Sequence, residues 1–150
     1  MIPTDHTCIP PYRSLILLSP NEPSPDGFDY KVCLLERGSH ISNASATVFP
    51  GGILDPVDYE AARVYGGESS DTANEDNLPM QALRACAVRE TFEEVGVLLS
   101  SSEYTTPPEG SEYKAWRKEL STNPSFFLEI YPRLKTSDSK PQPPLDRLIQ

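Results

Sequence analysis

Three glutamates, Glu90, Glu93 and Glu94, stand close together near the end of one predicted helix. Residues three and four positions apart are neighbours on one face of an α-helix, so these carboxylates repel one another. They also lie towards the helix C-terminus, where the helix dipole already disfavours negative charge. A divalent cation would remove both penalties, because Mg²⁺ and Mn²⁺ bind hard oxygen ligands and combine one or two carboxylates with substrate phosphates. A solvated acidic helix end is the alternative that the spacing leaves open.

The helix that must position these glutamates has clear start and stop signals. Asp76 or Asn77 can cap its start, and Pro79 suits its first turn. The helix is predicted to run to about Glu94, with Gly96 where a helix end needs left-handed backbone. At about 100° per residue, an apolar stripe lies opposite the carboxylates and is expected to pack on a sheet. The residues of this stripe are Ala85, Val88 and Phe92.

Three strands are predicted before this helix, over residues 13–19, 30–37 and 46–49. The first is predicted to be buried. Turn residues fill 20–27, so the first two strands are expected to form an antiparallel pair. Pro-Gly-Gly at 50–52 is predicted to end regular structure after the third strand.

The other segments are expected to surround this framework. Residues 1–12 are predicted to be a loose lead-in, and 59–81 to be a surface insertion in which only residues 60–64 could form a helical turn. Two short helices are predicted over 113–120 and 124–134. A proline-rich polar tail is predicted over 135–150.

The composition argues against several other classes of protein. The 22 acidic residues outnumber the 13 basic ones and give a net charge of −9, which disfavours a protein that grips a nucleic-acid backbone. No apolar run approaches the ~20 residues of a membrane span, and the N-terminus lacks a secretory signal. The three cysteines are widely spaced, so neither disulfides nor a zinc site is expected. A soluble intracellular protein is predicted.

A family pattern is visible in the helix. Residues 89–97 read Arg-Glu-Thr-Phe-Glu-Glu-Val-Gly-Val, which resembles the second half of the Nudix box, R-E-U-x-E-E-x-G-U. Gly51-Gly52 resembles the opening glycine turn of that box. Counted from Gly52, the first acidic position of the box falls on Asp58, whereas counted back from Arg89 it falls on Gln81. A long insertion between these two positions is therefore expected.

One branch of the Nudix family shares further features with this chain. This branch consists of coenzyme A diphosphatase-like proteins of peroxisomes and mitochondria. The chain resembles them at the opening of the box, at its close and in a later segment. These three segments are 49–55 (Phe-Pro-Gly-Gly-Ile-Leu-Asp), 93–99 (Glu-Glu-Val-Gly-Val-Leu-Leu), and Trp116-Arg117 followed by residues 123–128. The resemblance spans residues 13–134, the predicted domain. It implies an α/β fold, a Nudix-type α/β/α sandwich with a mixed sheet. Because residues 100–150 offer no convincing strand, this domain is expected to lack its C-terminal strands and to be the front part of a longer protein.

The resemblance also implies a reaction and assigns residues to it. The expected function is Mg²⁺- or Mn²⁺-dependent hydrolysis of a pyrophosphate bond in a nucleoside diphosphate linked to another moiety, with coenzyme A or an acyl derivative as the substrate. Glu90 and Glu94 would be metal ligands, and Glu93 would be a third ligand or the base that orients water. Arg89 would fix a glutamate of the box through a salt bridge, and Gly51-Gly52 would form the phosphate loop.

A non-catalytic Nudix module, truncated or degenerate, is the alternative function. The complete set of box carboxylates favours the enzyme, whereas the missing strands favour a binding module. The segment Leu34-Leu35-Glu36-Arg37 also departs from the coenzyme A signature of a sister branch, because no second arginine follows it before Phe49.

Overall fold

The α/β class predicted from the sequence is confirmed by short strands that precede four helices. The computed structural model describes residues 12–20, 27, 29–37, 46–66, 77–101, 110–134, 141–146 and 148. The strands are β1 (Tyr12–Ser14), β2 (Leu18–Pro20), β3 (Tyr30–Val32), β4 (Leu35–Glu36), β5 (Thr47–Val48) and β6 (Gly51–Ile53). The helices are α1 (Pro56–Tyr65), α2 (Leu78–Val95), α3 (Ser111–Thr122) and α4 (Phe127–Arg133), the last preceded by a 3₁₀ turn over Pro124–Phe126.

Helix α2 has the bounds that its start and stop signals predict. Pro79 lies in the first turn after Asn77, and Gly96 ends the helix with φ +79°, the left-handed conformation that glycine adopts most easily. The apolar stripe is completely buried. However, the expectation that it packs on a sheet is wrong, because the buried residues that cluster with it come from the other helices and from the segments that follow them, and none comes from a described strand. The buried core residues outside α2 are Ala61, Trp116, Leu120, Phe126, Phe127, Ile130, Tyr131, Leu134 and Leu145.

The described strands form three antiparallel pairs, β1 with β6, β2 with β3, and β4 with β5. The pairing of β2 with β3 confirms the antiparallel arrangement predicted over 13–37. Four details of the strand prediction are wrong. The segment 13–19 is interrupted at 15–17 because its two ends pair with different partners, and its strands are exposed although the first was predicted to be buried. The segment 30–37 is divided into β3 and β4, because its two ends also pair with different strands, β2 and β5. Gly51 and Gly52, predicted to end regular structure, pair with Ser14 and Arg13.

Helix α1 begins earlier and is more buried than the sequence suggests. Asp55 caps it by accepting a hydrogen bond from the backbone N–H of Val57, and Asp58 completes a capping box. Ala61 and Ala62 are buried. The first residues of the predicted insertion 59–81 therefore belong to the core, and residues 67–76 of that insertion lie outside the described residues.

The C-terminal half supplies the rest of the core. Helix α3 and the segment 124–133 confirm the two predicted helices. In the predicted tail, Leu145 is buried, and its carbonyl accepts a hydrogen bond of 2.9 Å from Arg84 Nη1. Residues 1–11 of the predicted lead-in, and 135–140, 147 and 149–150 of the tail, lie outside the described residues. No described helix combines the length and the apolar character that crossing a bilayer requires.

Candidate active site

A buried ion pair joins α1 to α2 beneath the site. Arg89 Nε lies 2.8 Å from Asp58 Oδ1, and Arg89 Nη2 lies 3.0 Å from Asp58 Oδ2. The side chains are 4% and 0% exposed, respectively. Asp58 Oδ2 also accepts a hydrogen bond of 2.8 Å from the backbone N–H of Asp55, so the buried carboxylate is well satisfied. Such a bidentate pair fixes the guanidinium in one orientation.

Arg89 uses its remaining nitrogen on the carboxylates of its own helix. Nη1 donates a hydrogen bond of 2.8 Å to Glu90 Oε1 and lies 3.7 Å from Glu93 Oε2. Burial by itself would lower the pKa of Arg89, but the hydrogen bonds and charge of Asp58, together with Glu90, raise that pKa above its usual value. Arg89 is therefore a permanent cation that orients Glu90.

Glu94 is held from the strand side. Its Oε2 accepts a hydrogen bond of 2.9 Å from the backbone N–H of Gly51. The carbonyl of Gly51 in turn accepts a hydrogen bond of 2.8 Å from the hydroxyl of Tyr12. The start of β6 and the last turn of α2 are thus linked directly, although 43 positions separate the two residues.

The two glycines are required at this point for different reasons. A Cβ at Gly52 would collide with the carboxylate of Glu90, whereas a Cβ at Gly51 would collide with the backbone of Arg13 and Ser14. Gly52 therefore lets the strand approach the side chain of Glu90, and Gly51 lets two strands pair.

Cys86 links α2 to β6 through its thiol. Its thiol donates weak hydrogen bonds to the carbonyls of Gly52 and Ile53, with sulfur–oxygen distances of 3.7 and 3.5 Å. Burial, with the negative charge of Asp58, raises the pKa of this thiol to about 12. Cys86 is therefore a neutral structural residue and not a nucleophile.

The site environment disfavours the ionised forms of Glu90 and Glu93. Burial raises the pKa of Glu90 above its usual value, and repulsion from Glu93 and Glu94 adds to this against the opposing charge of Arg89. Burial and repulsion from Glu94 likewise raise the pKa of Glu93, with Arg89 and Arg117 opposing them. A cation at this position would relieve the repulsion.

All the residues predicted for the site line one cavity of about 760 Å³. This volume lies within the range of small-molecule sites. The predicted residues are Gly51, Gly52, Arg89, Glu90, Glu93 and Glu94. Other lining residues come from β1, from β4 and β5, and from the end of α3, so the cavity lies between the strands and the helices.

The carboxylates suit a hard divalent cation because their ligand atoms are oxygens and because some of these oxygens are available to bind it. Glu90 and Glu94 each use one oxygen on Arg89 or Gly51, and no described residue donates a hydrogen bond to the other oxygen. Glu93 is 26% exposed. Within the described residues, however, no group of three or more acidic, histidine or cysteine side chains is gathered closely enough to enclose an ion.

Sequence reasoning missed two contributors to this arrangement. Asp58 was identified as a box position, but its pairing with Arg89 is not evident from a separation of 31 residues. Arg117 belongs to a family-like motif, but only the fold shows that it reaches the end of α2. Both contacts depend on how helices pack, and no local pattern could have indicated them.

Comparison with known proteins shows the family of the chain. The family model of the NUDT19 Nudix domain matches residues 63–139, just over half of the chain. The chain belongs to this Nudix family. The resemblance inferred from residues 89–97 is thereby confirmed.

Curated relatives carry the name acyl-coenzyme A diphosphatase NUDT19. The protein from Gallus gallus is 30% identical over 154 residues, covering 75% of this chain and 40% of the relative. The protein from Homo sapiens is 30% identical over 152 residues, with coverages of 74% and 40%. That from Xenopus laevis is 28% identical over 139 residues, with coverages of 68% and 37%. The Nudix chain described here thus spans about 40% of the length of these relatives. No solved structure matches it.

Proposed function

We propose that this chain carries the catalytic helix of a Nudix hydrolase that cleaves the pyrophosphate bond of coenzyme A or an acyl-coenzyme A. Water would add across the P–O–P linkage and give a phosphopantetheine fragment and an adenosine bisphosphate. The observation that carries the proposal is the cavity that Glu90, Glu93 and Glu94 line together with Gly51 and Gly52 of β6. The names of the curated relatives support the choice of substrate.

Mg²⁺ or Mn²⁺ is the proposed cofactor, with Glu90 and Glu94 as ligands and Glu93 as a third ligand or as the base. When bound, the ion would neutralise phosphate charge and make water more nucleophilic. Hard carboxylate oxygens and mutual repulsion among the ligands support this assignment.

The remaining contributions come from the protein itself. Arg89 holds Glu90 in place, and the Gly51 amide holds Glu94, so both carboxylates are oriented before substrate arrives. A bound cation would favour the ionised form of Glu93, which is the form that can draw a proton from water. The glycines keep the wall beside the carboxylates free of side chains, which allows phosphate to approach the backbone.

The partner is accordingly a nucleotide-derived small molecule and not a nucleic acid. The branch resemblance supports a peroxisomal or mitochondrial location. Fluorescence microscopy of the full-length protein, tagged in turn at each terminus, would test that location against organelle markers.

A non-catalytic ligand-binding module is the second candidate. The observation that favours it is that the described carboxylates are not gathered around a common point. Under this alternative the full-length protein would bind a nucleotide in the cavity without turnover.

The decisive experiment is a substrate screen with the full-length protein. Coenzyme A, acyl-coenzyme A, ADP-ribose and NADH would each be incubated with Mg²⁺ or Mn²⁺, and products identified by mass spectrometry. We expect the coenzyme A compounds to be cleaved. Binding of a nucleotide by calorimetry without products from any substrate would support the second candidate instead.

Glu94→Gln provides the matched test of the site. The variant should lose activity about 10²-fold at saturating Mg²⁺, the effect expected for disturbing a metal site. Glu60→Gln, on the exposed face of α1, removes the same charge and should leave activity unchanged. Retention of more than about a tenth of wild-type turnover by Glu94→Gln would contradict the assignment of this residue.

A further inference from the structure

Arg117 lies outside the predicted site residues, yet it reaches the same turn of α2. Its neighbour Trp116 points into the core and is 6% exposed. Arg117 is half-buried on α3, and its guanidinium extends to the C-terminal end of α2. The two residues of this Trp-Arg pair therefore do different things, and only the tryptophan is explained by core packing.

The guanidinium binds the carbonyls of the two glutamates that end the acidic cluster. Nη2 donates hydrogen bonds of 2.8 Å to the Glu93 carbonyl and 2.9 Å to the Glu94 carbonyl, and Nε donates one of 3.2 Å to the Glu93 carbonyl. The last carbonyls of a helix lack partners within the helix. The last turn of α2 has no basic residue of its own, so α3 supplies the cation that the helix dipole favours there.

Gly96 makes this approach possible. A Cβ at Gly96 would lie only 3.1–3.3 Å from Nη1, Cδ and Cζ of Arg117. The guanidinium therefore packs closely over the helix end, at the glycine whose left-handed backbone terminates α2. Gly96 therefore both terminates α2 and leaves room for the guanidinium of Arg117.

Two arginines thus hold one turn from two sides. Arg89 pairs with the carboxylates of Glu90 and Glu93 within the cavity. Arg117 instead binds the backbone carbonyls of Glu93 and Glu94. With the Gly51 amide on the Glu94 side chain, both ends of that residue are fixed. The arrangement would resist the rotation that mutual repulsion of the carboxylates favours.

We propose that Arg117 is a positioning residue that fixes the last turn of α2 and so holds Glu93 and Glu94 at the cavity. The consequence for metal affinity rests on the proposed function, in which these glutamates belong to the ion site. The anchoring of the helix end does not rest on it.

The experiment compares three variants of the full-length protein. Arg117→Met keeps the aliphatic bulk of the side chain and removes its hydrogen-bond donors. Arg117→Lys keeps the positive charge but loses the planar guanidinium that binds two carbonyls. Lys118→Met removes an adjacent exposed charge and is the control. Hydrogen exchange of a peptide covering residues 92–97, relative to one covering α1, reports how firmly the helix end is held. A calorimetric titration with Mn²⁺ alone measures the affinity of the ion site without any turnover.

For Arg117→Met we expect faster exchange at 92–97 and Mn²⁺ binding weakened about 10- to 100-fold, the range seen when groups that support metal ligands are removed. Arg117→Lys should fall between this variant and the wild type, and Lys118→Met should match the wild type. Unchanged exchange, or faster exchange with unchanged Mn²⁺ affinity, would overturn the positioning role. A wild-type protein that binds no Mn²⁺ and cleaves no substrate would instead contradict the proposed function, and the exchange data would still decide whether Arg117 anchors the helix.

Discussion

The helical part and the strand part of this molecule are stabilised in different ways. Core residues of the helices, such as Phe92, Phe127 and Ile130, are completely buried. On the strands, Leu18 and Ile53 are each 55% exposed. The burial of apolar side chains therefore holds the helices together. The described strands are held in place by backbone pairing and by a few polar contacts.

The candidate site lies where these two parts meet. The contacts that bring β6 to α2 are polar: the Gly51 amide on Glu94, and the Ile53 carbonyl with the thiol of Cys86 and with Arg89 Nη2 at 3.3 Å. The helical part thus provides a rigid base, and the strand part approaches it through hydrogen bonds. Mutations in the two parts should affect stability and activity in different proportions.

The largest effect should come from breaking the buried ion pair. Arg89→Met leaves the carboxylate of Asp58 buried without its cation, a loss that typically costs about 3–5 kcal/mol. Urea denaturation at pH 7 would measure the change in the free energy of unfolding. Arg63→Met, an exposed position on α1, should change it by about 0.5 kcal/mol or less. Similar losses for both variants would show that the pair adds little beyond a surface arginine.

A pair of apolar truncations compares the two parts directly. Ile130→Ala empties a completely buried position in the helical core and should cost about 2–5 kcal/mol. Leu18→Ala on β2 should cost about 0.5 kcal/mol or less, because the side chain is already largely exposed. Thermal denaturation of the two variants would show the contrast. A comparable loss for Leu18→Ala would mean that its side chain is covered in the folded protein.

The sequence predicted α2 well because its signals are local. The apolar stripe, Pro79 and Gly96 act within one segment, and each has the same meaning in any fold. The direction of the stripe could not be predicted, since the sequence does not say whether a sheet or other helices will cover it. Pairing of β6 with β1 was missed for a similar reason, because the choice of partner depends on residues about 40 positions away.

The candidate site shows the same division. The glutamates were recognisable from spacing along one helix, and the glycines from their resemblance to the opening of the Nudix box, although they lie in a strand and not in a turn. Two supports of this arrangement come from other helices: Asp58 pairs with Arg89, and Arg117 binds the end of α2. What a residue can do is therefore evident from its type and spacing, whereas what holds it in place is evident only from the packing.

The two adjacent glycines should separate strand pairing from site geometry. In Gly51→Ala the new methyl meets the backbone of β1, so the strand pair must shift, at a cost of about 1–3 kcal/mol. In Gly52→Ala it meets the flexible carboxylate of Glu90, which can move at a smaller cost but then leaves Arg89. We expect Gly52→Ala to lose more than about tenfold in activity with the smaller change in melting temperature. The reverse order of stability losses would contradict this division of roles.

The smallest predicted effect is a pH dependence that belongs to the site alone. Burial and mutual repulsion raise the pKa of Glu90 and of Glu93 above the usual 4.5, so both carboxyls bind a proton more tightly in the folded protein than in the unfolded chain. Their contribution to the free energy of unfolding is therefore fully present below about pH 4.5 and is lost as the pH rises through the higher folded values. In buffer with EDTA, the wild type should gain more stability between pH 7 and pH 5 than the Glu90→Gln/Glu93→Gln variant, as measured by urea midpoints. Mg²⁺ should reduce or reverse the difference, because a bound cation favours the ionised carboxylates. Equal pH dependence in the two proteins would show that these glutamates are solvated as freely as those on the exposed helix faces.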